Sequence, residues 1–196
     1  VYGFPNQNSE YGYLNKMNWS YKVRMNLYKF NVVTFPLEPI CRKWPWLRRL
    51  YLRWANHKIK SLLLSNGIIQ NSASVEGKPC TLRDQAYFEY KSFTSNGVYQ
   101  IGDSKAWIKL DSGLLIGDLE LANHENVQLV LNNLKKLSRK LGMVSITFQW
   151  YPGTGLDVSF RKLQEPGKSW VVGYCNYSSD WPVEDIVLTY GDLDTF

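Results

Sequence analysis

The side chains that most often carry catalysis are few in this chain of 196 residues. Its two histidines, His57 and His124, have no serine or cysteine in a recognisable triad setting, so a Ser/His or Cys/His nucleophile is not indicated. His124 could act as a base or could be a solvated loop residue. No GxSxG elbow or Walker-type phosphate loop is present, and the glycine pair at 153–155 is too short to count as one.

The three cysteines, Cys41, Cys80 and Cys175, lie far apart and have no CxxC or Cys/His spacing. Neither a disulfide framework nor a metal site is therefore predicted, and a reducing compartment, the cytoplasm, is favoured. No apolar run approaches the roughly 18 residues of a membrane-spanning helix, and no signal peptide is visible. Because the chain opens on a strand-like phrase, we expect it to be a C-terminal part of a longer protein.

The positive charge of the chain is local. Residues 39–75 hold seven Lys/Arg and no acid, whereas the remainder has 16 basic and 17 acidic residues. A general nucleic-acid binder would spread its charge differently, so no nucleic-acid partner is expected. Helical spacing over 46–64 predicts an apolar stripe of Leu47, Leu50, Tyr51, Trp54, Ile59, Leu62 and Leu63. This helix could pack on the sheet as a linker, or could dock on an anionic membrane surface or an acidic partner through Arg48, Arg49 and Arg53.

Residues 113–150 predict a strand, a crossover helix and a second strand. The apolar run at 114–121 is typical of a strand buried on both faces. Asn123 is a plausible N-cap, and Val127, Val130, Leu131, Leu134, Leu137 and Leu141 then fall on one helical stripe that ends at Gly142. The β-branched and aromatic residues at 143–150 indicate a strand parallel to the first, joined by a right-handed connection.

The rest of the chain divides into three parts. Residues 1–35 predict strand, helix and strand, with Ser9 capping a helix that runs to Asn18. Residues 36–79 hold the basic helix, preceded by structure-breaking prolines at 36, 39 and 45, and a turn-rich linker. Residues 80–196 predict a helix that starts at Thr81 or Asp84, a meander over 98–121, the crossover unit, a helix from Leu156, and final strands at 170–177 and 186–190. The predicted fold class is α/β (α+β), with a mixed central sheet flanked by helices.

This order of elements resembles the GNAT superfamily, the acetyl-CoA-dependent N-acetyltransferases. GFPNQNS at 3–9 and the following helix look like the segment after the splayed strand in one branch of the family. RDQAYFEYK at 83–91 and LTYGDLDTF at 188–196 are similar to the opening and the last strand of a second repeat in double-domain members. The resemblance implies a remnant of one unit at 1–35 and a GNAT-like domain at 80–196.

The resemblance also implies roles for three residues. A polar residue near Asn6 or Ser9 can bond the pantetheine arm of acetyl-CoA, and Tyr13 lies near the position of a tyrosine that protonates the departing thiolate. Such a general acid suits the reaction, because the amine attack expels a thiolate. Alternatively, Tyr13 packs against the sheet, and Asn6 and Ser9 are turn and cap residues.

The link between the central strand and its helix departs from the family pattern. Residues 119–128 contain no glycine for a phosphate loop, and Glu120 and Glu125 bring negative charge there. The second repeat is therefore expected to be degenerate for acetyl-CoA, with the cofactor carried by an N-terminal part.

Three functions stay open. The first is N-acetyl transfer from acetyl-CoA to a small amine, with the aromatic and polar residues at 147–155 suited to a sugar-amine or amino-acid acceptor. The second is a non-catalytic binding or structural domain, and the third is peripheral association through the basic helix. Eight Trp and thirteen Tyr fit either core packing or a groove that stacks on a flat or sugar-like ligand.

Overall fold

Seven strands form one mixed sheet in the computed structural model, which describes residues 1–6, 8–65, 67–74, 77–122, 126–177, 180, 182–193 and 196. The strands are β1 (Tyr2–Gly3), β2 (Ser20–Asn31), β3 (Asn96–Ile101), β4 (Ser104–Asp111), β5 (Gly113–Glu120), β6 (Ser145–Trp150) and β7 (Gly167–Tyr174). Their order is β1-β7-β2-β6-β5-β4-β3. The sheet is flanked by α1 (Leu37–Arg42), α2 (Pro45–Ile59), α3 (Gln85–Lys91), α4 (Val127–Leu141) and α5 (Gly155–Arg161). The predicted mixed α/β class is confirmed.

Helix α4 joins the parallel pair β5 and β6 at the centre of the sheet, as predicted. Its apolar stripe is buried, and it ends at Gly142, whose φ of 66° is left-handed backbone that glycine adopts without a Cβ penalty. The helix begins later than predicted. Asn126 is the N-cap, because its side chain accepts a hydrogen bond from the Leu129 N–H at 3.0 Å. The predicted cap, Asn123, lies outside the described residues.

Strand β2 comes from the N-terminal segment and yet lies inside the sheet. It pairs antiparallel with β6 on one side and with β7 on the other. The prediction of a final strand at 186–190 is wrong: Val187 makes only an isolated bridge to Cys80, and Tyr190–Asp192 form a 3₁₀ turn. The positions beside β7 are already taken, because β2 fills one and β1 fills the other. The division of the chain at 35 and 79 stays a prediction.

The two faces of the sheet are covered by different elements. Helices α2, α4 and α5 bury one face in the larger core, which includes Tyr51, Leu134 and Phe160. The other face is covered by the C-terminal segment 186–193, by Phe196 and by α3, around the fully buried Trp107. The meander β3–β4–β5 forms as predicted, and Asp84 caps α3 by accepting from the Tyr87 N–H at 2.8 Å.

The three prolines before the basic helix do not keep the chain unstructured. Pro39 lies in the first turn of α1 and Pro45 is the first residue of α2, where a missing N–H costs no helical hydrogen bond.

The side of helix α2 that faces the sheet is not the predicted one. Its buried stripe is Tyr51, Ala55 and Ile59, whereas Leu50 and Trp54, predicted to lie on the inner face, are 53% and 37% exposed. Among the helices that the structure describes, none is long and apolar enough to cross a bilayer.

Candidate active site

A cleft of about 360 Å³ lies between the N-terminal segment and the sheet. We call it the Trp170 cleft; its lining residues are Tyr2, Gly3, Phe4, Asn6, Tyr13, Trp19, Trp170 and Leu193. A second cavity of about 410 Å³ is lined by Asn6, Asn8, Leu27, Gln149, Lys168, Ser169 and Trp170. Asn6 and Trp170 line both cavities, so together they offer a longer groove with aromatic walls and several polar groups.

Asn6 holds the turn that starts the cleft. Its Oδ1 accepts hydrogen bonds from the Asn8 N–H at 3.0 Å, the Ser9 N–H at 3.1 Å and the Ser9 hydroxyl at 3.2 Å. This is an Asx turn, in which a side-chain oxygen substitutes for backbone partners. With Oδ1 engaged, the two amide N–H groups of Asn6 have no acceptor among the described residues and are available to a ligand.

Tyr13 lies in a short helical segment rather than in a helix that reaches Asn18. Residues 10–16 are helical, Gly12–Lys16 as a π-helical turn, and Asn18, with φ of 54°, follows in left-handed backbone. The Ser9 carbonyl accepts the Tyr13 N–H at 3.0 Å, as the carbonyl of an N-cap does, but the Ser9 hydroxyl donates to Asn6, so the predicted side-chain cap does not form. The Tyr13 ring packs edge-on against Trp19 at 4.9 Å, which fixes it on the wall of the cleft.

Two connections tie this segment to the sheet. Arg24 on β2 binds both carboxylate oxygens of Glu10, at 2.7 and 2.9 Å, and donates to the Ser169 carbonyl at 3.0 Å. The chain start is held by paired backbone bonds between Val1 and Cys175. Arg24 therefore fixes the helical segment over the strand that carries Trp170.

The floor of the groove is polar and buried. Ser169 donates to Gln149 Oε1, and both side chains are nearly inaccessible to solvent. Tyr190 packs edge-on to Trp170 at 6.2 Å, and burial raises the pKa of Tyr190 to about 12. Tyr190 is therefore a neutral phenol at physiological pH.

A third place that could receive a ligand lies where β5 and β6 separate. Their pairing stops at Ile116 and Phe148. Beyond that point, the Gln70 N–H donates to Glu120 at 2.8 Å and the Ser72 N–H donates to Asp118 at 3.1 Å. The chain's own loop therefore borders the opening.

An ion pair also marks this opening, since Lys105 Nζ lies 2.6 Å from a carboxylate oxygen of Glu120. Burial pushes the pKa of Glu120 up, but the hydrogen bonds from Gln70 and Lys105 outweigh it and lower the pKa, so Glu120 is ionised. Lys105 balances the charge of Glu120, and the degeneracy predicted for residues 119–128 stays a prediction. His124 and Glu125, named above as a possible base and as a negative charge, lie outside the described residues.

Arg83, the first residue of the RDQAYFEYK phrase, is the centre of a buried ionic cluster. It binds Asp118 of β5 and Asp192, the latter at 3.1 Å, and its guanidinium also donates to Thr189. Burial alone would lower the pKa of Arg83, but the two carboxylates outweigh burial and raise it. The cluster joins β5 to the C-terminal segment and has no opening to solvent, so it serves the fold.

Another buried carboxylate, Asp157, anchors α5 to the sheet. Its oxygens accept from Asn26 and Tyr28 at 2.7 Å each, from the Gly153 N–H at 2.9 Å and from Arg161 at 3.1 Å. Burial opposes ionisation, but these four donors lower the pKa of Asp157 below its ordinary value.

Replacing Asp157 with asparagine should lower the free energy of unfolding by about 2–3 kcal/mol near neutral pH, because an amide N–H would face donors. A depressed native-state pKa stabilises the fold above the unfolded pKa of the group, and this stability is lost as the pH falls through the native value. The deficit of the variant should therefore shrink as the pH falls below about 4. Urea unfolding at neutral pH and below about pH 4 measures the deficit, and Glu165→Gln, at an exposed position, is the control. Equal deficits at both pH values would contradict the assignment.

The structure thus places two of the three predicted site residues, Asn6 and Tyr13, on one cleft, and places Ser9 behind it as a partner of Asn6. It adds Trp170, which lies at the other end of the sequence and could not be connected to Asn6 by local pattern. Among the described residues, no group of three or more His, Cys, Asp or Glu could hold a metal ion, and all three cysteines are free.

No protein-family model and no curated protein matches this sequence. Among solved structures, the chain is similar to the crystal structure of a GCN5-related N-acetyltransferase from Kribbella flavida, with 11% identity and a TM-score of 0.38. The match covers 88% of this chain and 42% of that one, so the present chain spans less than half the length of its structural neighbour. A TM-score of 0.38 supports no argument about the fold family or the activity of this chain, so any such argument depends on the residues described above.

Proposed function

We propose that this chain takes part in N-acetyl transfer from acetyl-CoA to a small amine, and that the two meet in the Trp170 cleft. One observation carries the proposal: Asn6 and Tyr13, to which the sequence resemblance gives roles in this chemistry, line the same cleft. The opening between β5 and β6 is a poorer place for the cofactor, because the 69–73 loop borders it.

The residues of the groove fit the reacting end of acetyl-CoA, which supplies an activated acetyl group and a thiol leaving group. The free amide N–H groups of Asn6 can donate to a carbonyl oxygen of the pantetheine arm. Lys168, which lines the adjoining cavity, provides a cation for an anionic group. With the thioester bound, the rings of Trp19 and Trp170 on the cleft wall would limit the access of water that hydrolyses it.

Tyr13 is the proton donor in this proposal. Its Oη would transfer a proton to the departing sulfur as the bond from nitrogen to the acetyl carbon forms and the carbon–sulfur bond breaks. Tyr13 would then recover a proton from the nitrogen of the attacking amine, so that the products are an amide and a neutral thiol. General acid catalysis of this kind contributes about 10²–10⁴-fold to a rate.

Replacing Tyr13 with phenylalanine should therefore lower kcat by about 10²–10⁴-fold, because the ring remains and only the proton donor is lost. The assay follows thiol release from acetyl-CoA with amino sugars and amino acids as acceptors. Tyr11→Phe is the matched control, since Tyr11 is exposed and does not line the cleft. Equal rates for the two variants would contradict the role of Tyr13, and thiol release no faster than the spontaneous reaction with every acceptor would contradict acyl transfer.

The second candidate function is ligand binding without acyl transfer. It is favoured by the loop contacts of Gln70 and Ser72, which close the end of β5 with the chain's own backbone. In that case an amino sugar or amino acid should raise the melting temperature and protect Trp170 from quenching by acrylamide, whereas acetyl-CoA should do neither. Stabilisation by acetyl-CoA would favour the first candidate.

A further inference from the structure

Helix α2 has a second, outward-facing stripe that the core does not use. Trp46, Arg49, Leu50, Arg53 and Trp54 recur at steps of three and four, so they share one side of the helix. Trp46 is 63% exposed and Leu50 is 53% exposed, although both are large apolar residues. The opposite side of α2 is buried against the sheet, and Trp54, at the edge of the outer stripe, packs its ring 5.8 Å from that of the buried Tyr51.

Within the part of the chain that the structure describes, the cations of this outer stripe have no acidic partner. Arg49 and Arg53 are exposed and form no ion pair with any residue of the described ranges. Arg48, which was grouped with them on sequence grounds, differs: its guanidinium pairs with Asp111, so it is engaged by the sheet. A shallow hollow of about 620 Å³ is lined by Pro45, Trp46, Arg49, Leu50 and Arg53.

We propose that the outer stripe of α2 docks the protein on an anionic phospholipid surface. Indole and leucine side chains enter the boundary between headgroups and acyl chains, while arginines on the same helix bind lipid phosphates. The absence of any acidic residue between 39 and 75 gives the helix a field of one sign, complementary to such a surface. The catalytic proposal above does not depend on this docking.

The apolar residues favour lipid over the other anionic partners. Binding of Arg49 and Arg53 to nucleic acid or to an acidic protein segment would rest on charge and would leave Leu50 exposed. A membrane interface instead gains from burying Trp46, Leu50 and Trp54 together with the charges. Loss of the apolar residues should therefore weaken binding even when both arginines are kept.

The test is co-sedimentation of the chain with vesicles of phosphatidylserine and phosphatidylcholine, and with vesicles of phosphatidylcholine alone. Two double variants address the two contributions: Arg49→Glu with Arg53→Glu, and Trp46→Gln with Leu50→Gln. Reversal of Lys136 and Lys140 to Glu, on the exposed side of α4, is the control for net charge. Melting temperatures identify any variant that does not fold.

We expect the chain to bind the mixed vesicles and not phosphatidylcholine alone. Charge reversal on α2 should lower the partition coefficient by at least about tenfold, since each Arg near an anionic surface contributes about fivefold. The α4 control should lower it much less, and the Trp46/Leu50 variant should also lose most binding. The proposal would be overturned if the α2 and α4 charge variants lost binding equally, or if the Trp46/Leu50 variant bound fully. It would also be overturned if immobilised polyglutamate or duplex DNA retained the chain more strongly than the vesicles do.

Discussion

Replacing Arg83 with methionine is expected to lower the free energy of unfolding by about 3–5 kcal/mol, because it leaves two buried carboxylates without their cation. The side chains of Asp118 and Asp192 are both 0% exposed, and that of Arg83 is 2% exposed. Tyr87 donates to Asp192 at 3.0 Å, but a neutral phenol does not balance the charge. Urea unfolding at neutral pH measures the loss.

The pH dependence of the Arg83→Met variant provides a second readout. Burial raises the pKa of Asp118 even in the native protein, against the opposing effects of Arg83 and Ser72. A raised native-state pKa means that stability is highest with the group protonated and falls as the pH rises. Without Arg83 this effect should grow, so the deficit should be smaller at about pH 4 than at about pH 7.

Two comparisons decide whether the buried charges cause the loss. Arg139→Met removes a charge from the exposed surface of α4 and should change stability by less than about 0.5 kcal/mol. The triple variant Arg83→Met, Asp118→Asn, Asp192→Asn should recover much of the loss, because no buried charge remains. A single variant as stable as Arg139→Met would show that the ionic cluster is not what joins β5 to the C-terminal segment.

Replacing Gly191 with alanine is the second change for which a large effect is expected. A Cβ on Gly191 would lie 2.3 Å from two ring carbons of Trp107, far inside van der Waals contact. Trp107 cannot retreat, because it is fully buried and its Nε1 donates to Asn96 at 2.8 Å. Overpacking of this kind costs about 1–3 kcal/mol and sometimes more. Thermal or urea unfolding provides the measurement.

Gly155→Ala is the matched control, since a Cβ there meets nothing within 4 Å. It should leave stability unchanged or raise it slightly at the start of α5. If the clash with Trp107 is the cause, Gly191→Ala and Trp107→Leu should be non-additive in a double-mutant cycle. Additive losses, or a Gly191→Ala variant as stable as Gly155→Ala, would contradict the close packing of the C-terminal segment on β4.

The parts of the fold that could be predicted are those specified by local pattern. The unit β5–α4–β6 was predictable because a long apolar stripe, a glycine terminator and two apolar runs lie within 40 residues. The final strand was mispredicted because its place beside β7 is taken by β2, a competition between segments at opposite ends of the sequence. The exposure of Leu50 and Trp54 was not predicted for a related reason. Two apolar stripes on α2 have the same period, and only tertiary packing decides which of them is buried.

In the candidate site, too, local features were predictable from the sequence and long-range contacts were not. Asn6 and Tyr13 are close in sequence, and both line the cleft. Arg24 has no distinguishing sequence signal, since β2 also contains Lys22 and Lys29, and its partner Glu10 could not be named from spacing. Trp170 is brought to Asn6 by the pairing of β1 with β7, which no local pattern indicates.

The most direct test of the account is a ¹H–¹⁵N NMR titration with acetyl-CoA that follows the tryptophan indole signals, assigned through Trp19→Phe and Trp170→Phe. If the Trp170 cleft receives the reacting end of acetyl-CoA, the signals of Trp19 and Trp170 should shift with a common saturation curve. The signal of Trp107, which is fully buried and does not line the cleft, should not shift. Shifts confined to the amides of 70–72 and 119–121, or no shift at saturating acetyl-CoA, would contradict the account.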